Sequence, residues 1–136
     1  MVEIVQPQGW PRPRGYSNGT TAEGRMVFVG GQVGWTEEMQ FEARDFVGQV
    51  HQALRNTAAV LHAAGARPEH VVRMTWFVTD KREYLDNAAA MGQVYRDVMG
   101  KHFPAMSLVQ VADLVEDDAK VEIETTAVVP REETGP

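Results

Sequence analysis

The stretch ARDFVGQVHQALRNTAAVLHAAGARPEHVVRMTWFV, residues 43–78, changes its hydrophobic period once, and that change decides the fold class. From Ala43 to Ala64 the positions Phe46, Val50, Leu54, Thr57, Val60, Leu61 and Ala64 recur at three- and four-residue spacing, the stripe of a long amphipathic helix. Gly65 is placed to end it, because glycine enters the left-handed region without a Cβ clash, and Pro68 bars continuation. Val71 to Val78 is then β-branched and aromatic, apolar on both faces except at Arg73 and Thr75, as in a strand covered on two sides. A helix followed at once by a buried strand is a unit of a layered α/β domain.

Toward the C-terminus, Asp80 and Glu83 have the spacing of a capping box, and Leu85, Ala88, Met91, Val94, Tyr95, Val98 and Met99 continue at helical spacing to Gly100. A second helix is expected there. Two final strands follow, from Ala105 to Val111 and from Lys120 to Val129, joined by the acidic turn Glu116-Asp117-Asp118. Toward the N-terminus, Arg25 to Gly34 is a short apolar run bounded by glycines and reads as a buried strand. Tyr16-Ser17-Asn18-Gly19 reads as its hairpin partner, with a loop through Ala22-Glu23-Gly24. The breakers Pro7, Gly9, Pro11, Pro13 and Gly15 make the opening segment an ordered arm or edge element. The expectation is one two-layer α/β domain over residues 1–129 and a frayed tail over 130–136. Two helices cover one face of such a sheet. The phasing leaves Met74, Trp76, Met106 and Leu108 on the other, so a second copy of the chain is expected to cover that face.

The chain's 136 residues, 43 % hydrophobic and 24 % charged, suit a single globular core. Thirteen Lys and Arg against nineteen Asp and Glu leave a net charge of −6, the wrong sign for a phosphate-binding surface, which disfavours nucleic acid as the main partner. Without cysteine there is no thiolate catalysis, thiolate metal site or iron–sulfur cluster. The first residues show no basic start followed by an apolar run, and no stretch reaches the roughly 18 apolar residues of a membrane span. A soluble, cytoplasmic protein with no membrane association is expected.

The alternation of Lys120 to Val129 puts Val121, Ile123, Thr125 and Ala127 on one face, and Glu122, Glu124 and Thr126 on the other. Glu122 and Glu124 then lie about 6.5–7 Å apart along the strand. Closed off by a neighbouring subunit, one of them would be a candidate acid/base or water-orienting group; left open, they are two solvated or salt-bridged glutamates. The histidines His51, His62, His70 and His102 show no zinc spacing; His51 and His62, eleven residues apart, are taken to lie on different helix faces, and all four at surface or rim positions. No metal site and no cofactor are expected. Gly30-Gly31-Gln32-Val33-Gly34 lacks the following helix of a dinucleotide fingerprint, so its glycines allow close packing or expose backbone N–H groups to a small ligand. Trp10, Trp35, Trp76 and Phe103 suit core, interface or an apolar pocket. Arg12 and Arg14 beside Tyr16 form a basic, aromatic cluster that could hold a carboxylate or stand as a solvated arm.

In order and spacing, Gly15-Tyr16-Ser17, Gly31-Gln32, Gln52 to Asn56 through Ala64-Gly65, Val71 to Thr75, Val94-Tyr95, Phe103-Pro104-Ala105 and Val121 to Glu124 resemble the Rid family, the YjgF-type enamine/imine deaminases also described as L-PSP endoribonucleases or translation inhibitors. The resemblance implies a chorismate-mutase-like α/β fold, a mixed sheet with two helices on one face, assembled as a homotrimer with a small-molecule site in each subunit cleft. It implies cofactor-independent hydrolysis of enamines and imines, such as 2-aminoacrylate, to a keto acid and ammonia. By the same resemblance Glu122 matches the water-handling glutamate, Tyr16 the pocket tyrosine and the Leu108 backbone a main-chain substrate contact. The pattern departs at Phe103-Pro104-Ala105-Met106-Ser107, where the family's carboxylate-clamping arginine precedes the serine and this chain has Met106. Gly30 stands where the family has Ser or Ala, and Gly92 where it has Asn. Loss of a charge-assisted clamp costs on the order of 1.5–3 kcal/mol, about ten- to a hundredfold in binding. The pocket is therefore expected to favour an imine other than 2-aminoacrylate, a larger or uncharged one, or an anion held by Arg12, Arg14 or Arg73. The competing expectations are a non-catalytic trimer that binds a metabolite or a protein, and a ribonuclease or translation inhibitor.

Overall fold

The helix predicted by the period of residues 43–64 forms as α1 (Phe46–Ala63). Asp45 starts it from an extended backbone, its carboxylate accepting from the Gly48 N–H at 3.0 Å. Gly65, at φ +76°, closes it: its N–H donates to the His62 carbonyl at 3.0 Å, and the Ala66 N–H reaches the Leu61 carbonyl at 2.8 Å. The computed structural model describes residues 1–134. Around α1 stand β1 (Glu3–Val5), β2 (Gly19–Thr21), β3 (Arg25–Val33), a 3-10 turn (Pro68–His70) and β4 (Val71–Val78). After them come α2 (Lys81–Asp86), α3 (Ala88–Met99), β5 (Ala105–Gln110), β6 (Val121–Val129) and α4 (Arg131–Thr134).

Four strands make a mixed sheet in the order β3-β6-β4-β5, antiparallel except for the parallel β4–β5 edge. The last strand inserts between β3 and β4, so β5 and β6 are consecutive in the chain and not neighbours in the sheet. The α1 and α3 helices pack on one face, over a core in which Leu54, Leu61, Val71, Met74, Val121 and Ile123 are fully enclosed. This is the expected mixed α/β layering, with helices on one side.

Several local expectations change. The hairpin pairing of residues 16–19 with the strand from Arg25 does not form: β2 pairs antiparallel with β1, Val5 opposite Gly19, and the arm is an edge ribbon. Its anchors are tertiary, since the Ser17 N–H donates to the Pro104 carbonyl at 3.0 Å, and the Thr20 hydroxyl to the Val72 carbonyl at 2.6 Å. The helix expected from Asp80 to Gly100 breaks at Asn87 into α2 and α3. Asp80 does cap, taking the Arg82 N–H at 2.9 Å, but Glu83 does not complete a capping box with it; its carboxylate pairs with Lys120 at 3.3 Å. Residues 131–134 form a helical turn where a frayed tail is expected, and 135 and 136 lie outside the described residues.

The largest correction concerns sheet phase. Met74 and Trp76 are buried beneath the helices, and Met106 and Leu108 pack against the same core. Alternation along β4 sends Arg73, Thr75 and Phe77 to the open face instead, because the side that takes Met74, Trp76 and Val78 into the core must give the opposite side to the charged and polar members. The open face is polar at its centre, with Thr75, Thr126 and both glutamates, and apolar at Met26, Phe28 and Val109; Phe28 is 71 % exposed and Met26 56 %.

Candidate active site

The paired carboxylates of β6 emerge as the alternation requires: Ile123 and Thr125 are buried, Glu122 is half-buried and Glu124 exposed, both on the open face. Glu122 stands opposite Phe77 of β4 and Val33 of β3. Between Val29 and Gln32 the register of β3 slips, and the bulge brings Gly31 against the Glu122 side chain. A Cβ built on Gly31 would collide with the Glu122 carboxylate, so glycine is what lets that carboxylate lie where it does. Gly34 makes a second close approach, against the backbone of Gln49 in α1. Both approaches are the close packing that the glycine-rich run predicts.

Glu124 lines a hollow of about 370 Å³ on the open face, with Phe28, Gly30, Arg73, Thr75 and Thr126. A Cβ on Gly30 would meet nothing within 4 Å, so this wall has room to spare. Ser107 is exposed on the same face, one strand across from Thr75.

On the helix side, Met106 lines a different hollow of about 270 Å³ with Arg14, Trp76, Tyr84, Gly92 and Tyr95. A third hollow of about 550 Å³ lies under the arm, between Trp10, Arg12, Tyr16, Lys101 and His102. Gly15 and Phe103 line both of these, so the two adjoin. Tyr16 is 43 % exposed, held at the head of β5 by the bridge of Ser17 to Ala105 and by the Ser17 hydroxyl on the Phe103 carbonyl. Arg12, Arg14 and Arg73 thus line three different hollows, and of the three only Arg14 shares one with Met106. Within one chain Glu122 shares none of these hollows with Tyr16 or Met106.

The histidines need two corrections. His70 is fully buried, its Nδ1 accepting the Arg67 N–H at 3.0 Å, because the 3-10 turn needs a partner for that donor. His51 and His62 lie on one face of α1 after all, since eleven residues complete almost whole turns; they share a shallow hollow with Arg55 and Asp97 but stand about 16 Å apart along the axis. His102 Nε2 is 2.6 Å from the Val71 carbonyl. Among the described residues no three His, Asp or Glu side chains gather as metal ligands. Tyr95 stacks on Phe103 at 5.4 Å and donates its hydroxyl to the His102 carbonyl at 2.6 Å; burial pushes its phenol well above the usual tyrosine range. Trp10 is exposed, and Trp35 packs on Phe41 at 5.7 Å.

Two features escape the sequence reading. Gly31 as the seat of Glu122 depends on the bulge, which has no signal beyond a glycine pair in a strand. Trp76 is buried with its indole Nε1–H unpartnered among the described residues, and its sequence signal is a tryptophan within an otherwise largely apolar strand.

Comparison with known proteins matches residues 11–129 to the family described as endoribonuclease L-PSP. A curated relative from Salmonella typhimurium, named 2-iminobutanoate/2-iminopropanoate deaminase, is 36 % identical over 108 residues, 77 % of this chain and 80 % of its own. The crystal structure of YyfB from Yersinia pestis, a Rid-family protein of unknown function, superposes with a TM-score of 0.83 at 29 % identity, covering 94 % of this chain and 98 % of that one. Escherichia coli TdcF, crystallised with bound serine, superposes at 0.66 with 34 % identity, covering 93 % and 98 %.

Proposed function

The chain belongs to the endoribonuclease L-PSP family, which includes the Rid proteins, and from that premise we propose that it hydrolyses a small imine or enamine to a carbonyl compound and ammonia. The observation that carries the reading is the Glu122 carboxylate, on the open sheet face with Gly31 leaving it room. An imine carbon is already electrophilic, so a positioned water and a proton carrier suffice. Glu122 takes a proton from water as the oxygen bonds to the imine carbon, and returns it to the nitrogen. Glu122 then takes the carbinolamine hydroxyl proton and passes it to the amine as the C–N bond breaks, so that ammonia leaves and the oxygen becomes the carbonyl; an enamine first gains a proton at carbon to become the imine. The cleft is completed by further copies of the chain, a homotrimer, packed through the open face where Met26, Phe28 and Val109 are exposed. The test is ammonia release from imines generated in situ by an amino-acid oxidase: Glu122→Gln is expected to lose about 10²- to 10⁴-fold in turnover, and unchanged turnover would overturn the reading.

A second reading, a trimer that binds a metabolite without turning it over, is favoured by the hollow around Met106 and Gly92, whose walls hold no carboxylate and no amide. Saturable binding with no product would support it. A ribonuclease reading finds no histidine pair among these residues, since His70 is enclosed, His51 and His62 are separated along α1, and His102 is the one histidine of the hollow under the arm.

A further inference from the structure

The hollow of about 550 Å³ under the arm takes no part in the hydrolysis proposed at Glu122, which does not line it. Its charge runs against that of the chain. Nineteen Asp and Glu against thirteen Lys and Arg leave the protein at −6, yet no carboxylate lines this space and two cations do, Arg12 from the arm and Lys101 just past the end of α3. Neither has an ion pair or a side-chain hydrogen bond to any described residue. Exposed apolar groups stand beside them: Trp10 is 60 % exposed, and Ile4 and Tyr16 are exposed as well. Both walls are fastened. The Gln6 amide donates to the Trp10 carbonyl at 3.1 Å and to the Pro11 carbonyl at 3.3 Å, and accepts from Asn18 at 2.9 Å, which ties the turn carrying Trp10 and Arg12 to the start of β2. On the other side the His102 ring Nε2 meets the Val71 carbonyl at 2.6 Å, and the His102 carbonyl accepts the Tyr95 hydroxyl at 2.6 Å, so the residue after Lys101 is held on β4 and α3. Much of the ordering cost of binding is thereby met in the chain itself.

We propose that this hollow is a binding site for a small aromatic phosphate monoester, its phosphate between Arg12 and Lys101 and its ring laid on Trp10. Two unpaired cations with no carboxylate between them match a dianion, which a phosphate monoester is above a second pKa of about 6; a carboxylate would answer only one of the two. Arginine takes phosphate through parallel N–H bonds and lysine as a point charge. An exposed indole offers a flat ring a stacking face, and the edges of Ile4 and Tyr16 extend the apolar side of the space. A volume of about 550 Å³ lies inside the usual range of roughly 300–1,000 Å³ for small-molecule sites. The net charge of the chain speaks against a phosphate-binding surface at large, and this hollow is a local departure from it. The site goes beyond the hydrolase reading and does not depend on it.

The test is calorimetric titration with phenyl phosphate, beside inorganic phosphate, benzoate and benzyl alcohol. Phenyl phosphate is expected to bind about tenfold or more tighter than inorganic phosphate or benzoate, and benzyl alcohol not measurably. AMP is the second arm: tighter binding than phenyl phosphate identifies a nucleotide as the source of the shared chemistry, and weaker binding a single-ring phosphate. Arg12→Gln and Lys101→Gln, both exposed changes, should each weaken phenyl phosphate about tenfold, while Arg82→Gln, which removes the same charge from α2, should weaken it about twofold at most. Trp10→Leu should bring phenyl phosphate down to the affinity of inorganic phosphate and abolish the change in tryptophan emission on titration. Equal binding of phenyl phosphate and inorganic phosphate, no binding of either ester, or an effect of Arg82→Gln as large as that of Arg12→Gln would overturn the proposal. Glu122→Gln should leave this binding unchanged, so failure of the hydrolase and failure of the phosphate site are read separately.

Discussion

Gly31 shows how one hydrogen in place of a methyl group can decide where a carboxylate lies. Gly31→Ala is expected to push the Glu122 side chain off its position, so that turnover falls toward that of Glu122→Gln while the melting temperature changes by only a few degrees. Steady-state kinetics beside a thermal melt would check this, and full activity would show that the seat is dispensable. Met106→Arg brings a guanidinium into the hollow that now has only Arg14, and is expected to raise the preference for 2-aminoacrylate over bulky imines at least tenfold, read as a ratio of kcat/KM values. Tyr95 carries a pH dependence whose sign follows from burial. Its folded form keeps the phenol proton where the unfolded chain loses it, at about pH 10, so the folded state binds more protons there and stability falls as pH rises past that value. Urea midpoints between pH 7 and 11 should show that part of the alkaline decline vanish in Tyr95→Phe, which also loses about 0.5–1.5 kcal/mol of hydrogen bonding at neutral pH.

At the scale of elements, the amphipathic stripe of α1 is legible from residue spacing, but the joints between elements are made by residues whose type does not announce the role. Gln49 is buried on α1; its amide donates to the Asp118 carbonyl at 2.9 Å and accepts the Lys120 N–H at 2.8 Å, fastening the acidic turn to the helix ahead of β6. Gln49→Met keeps the volume and takes the partner from three backbone groups, the Ala43 and Asp118 carbonyls and the Lys120 N–H, so a loss of about 2–4 kcal/mol in urea unfolding is expected. The break at Asn87 belongs to the same class: Glu83 reads as half of a capping box until Lys120, 37 residues away, claims its carboxylate. The β1–β2 ribbon likewise depends on Ser17 and Thr20 finding carbonyls near β5 and on β4, contacts that no local window of sequence contains.

For the whole molecule, the open face of the sheet is the surface through which the proposed trimer would pack. Arg73, Thr75, Glu122 and Glu124 point to the side away from the helices, and Phe28 stands among the largest exposed apolar groups of the surface. Placing a charge there by Phe28→Glu should leave the circular dichroism and fold unchanged, convert the assembly to a smaller species in sedimentation velocity, and abolish turnover with it. An unaltered sedimentation coefficient would separate the open face from assembly. The phase of Met74, Trp76, Met106 and Leu108, opposite to the one expected, explains why the open-face residues are legible only in part. A strand with apolar residues on both faces does not declare which side meets the helices, whereas β6, with glutamates on one face alone, declares it at once.

The sequence by itself determined the period of α1 and its glycine exit, the strand character of β3 to β6, and the shared face of Glu122 and Glu124, because each follows from the 3.6- and 2-residue repeats of a chain that must bury one side of every element. Only the tertiary structure decided that β6 enters between β3 and β4, that Gly31 lies beneath Glu122, that His70 is enclosed, and that of three candidate arginines only Arg14 shares a hollow with Met106 and Trp76. Those outcomes depend on which surfaces meet across long stretches of chain, and the packing energy that selects them belongs to pairs of distant residues and to no local window.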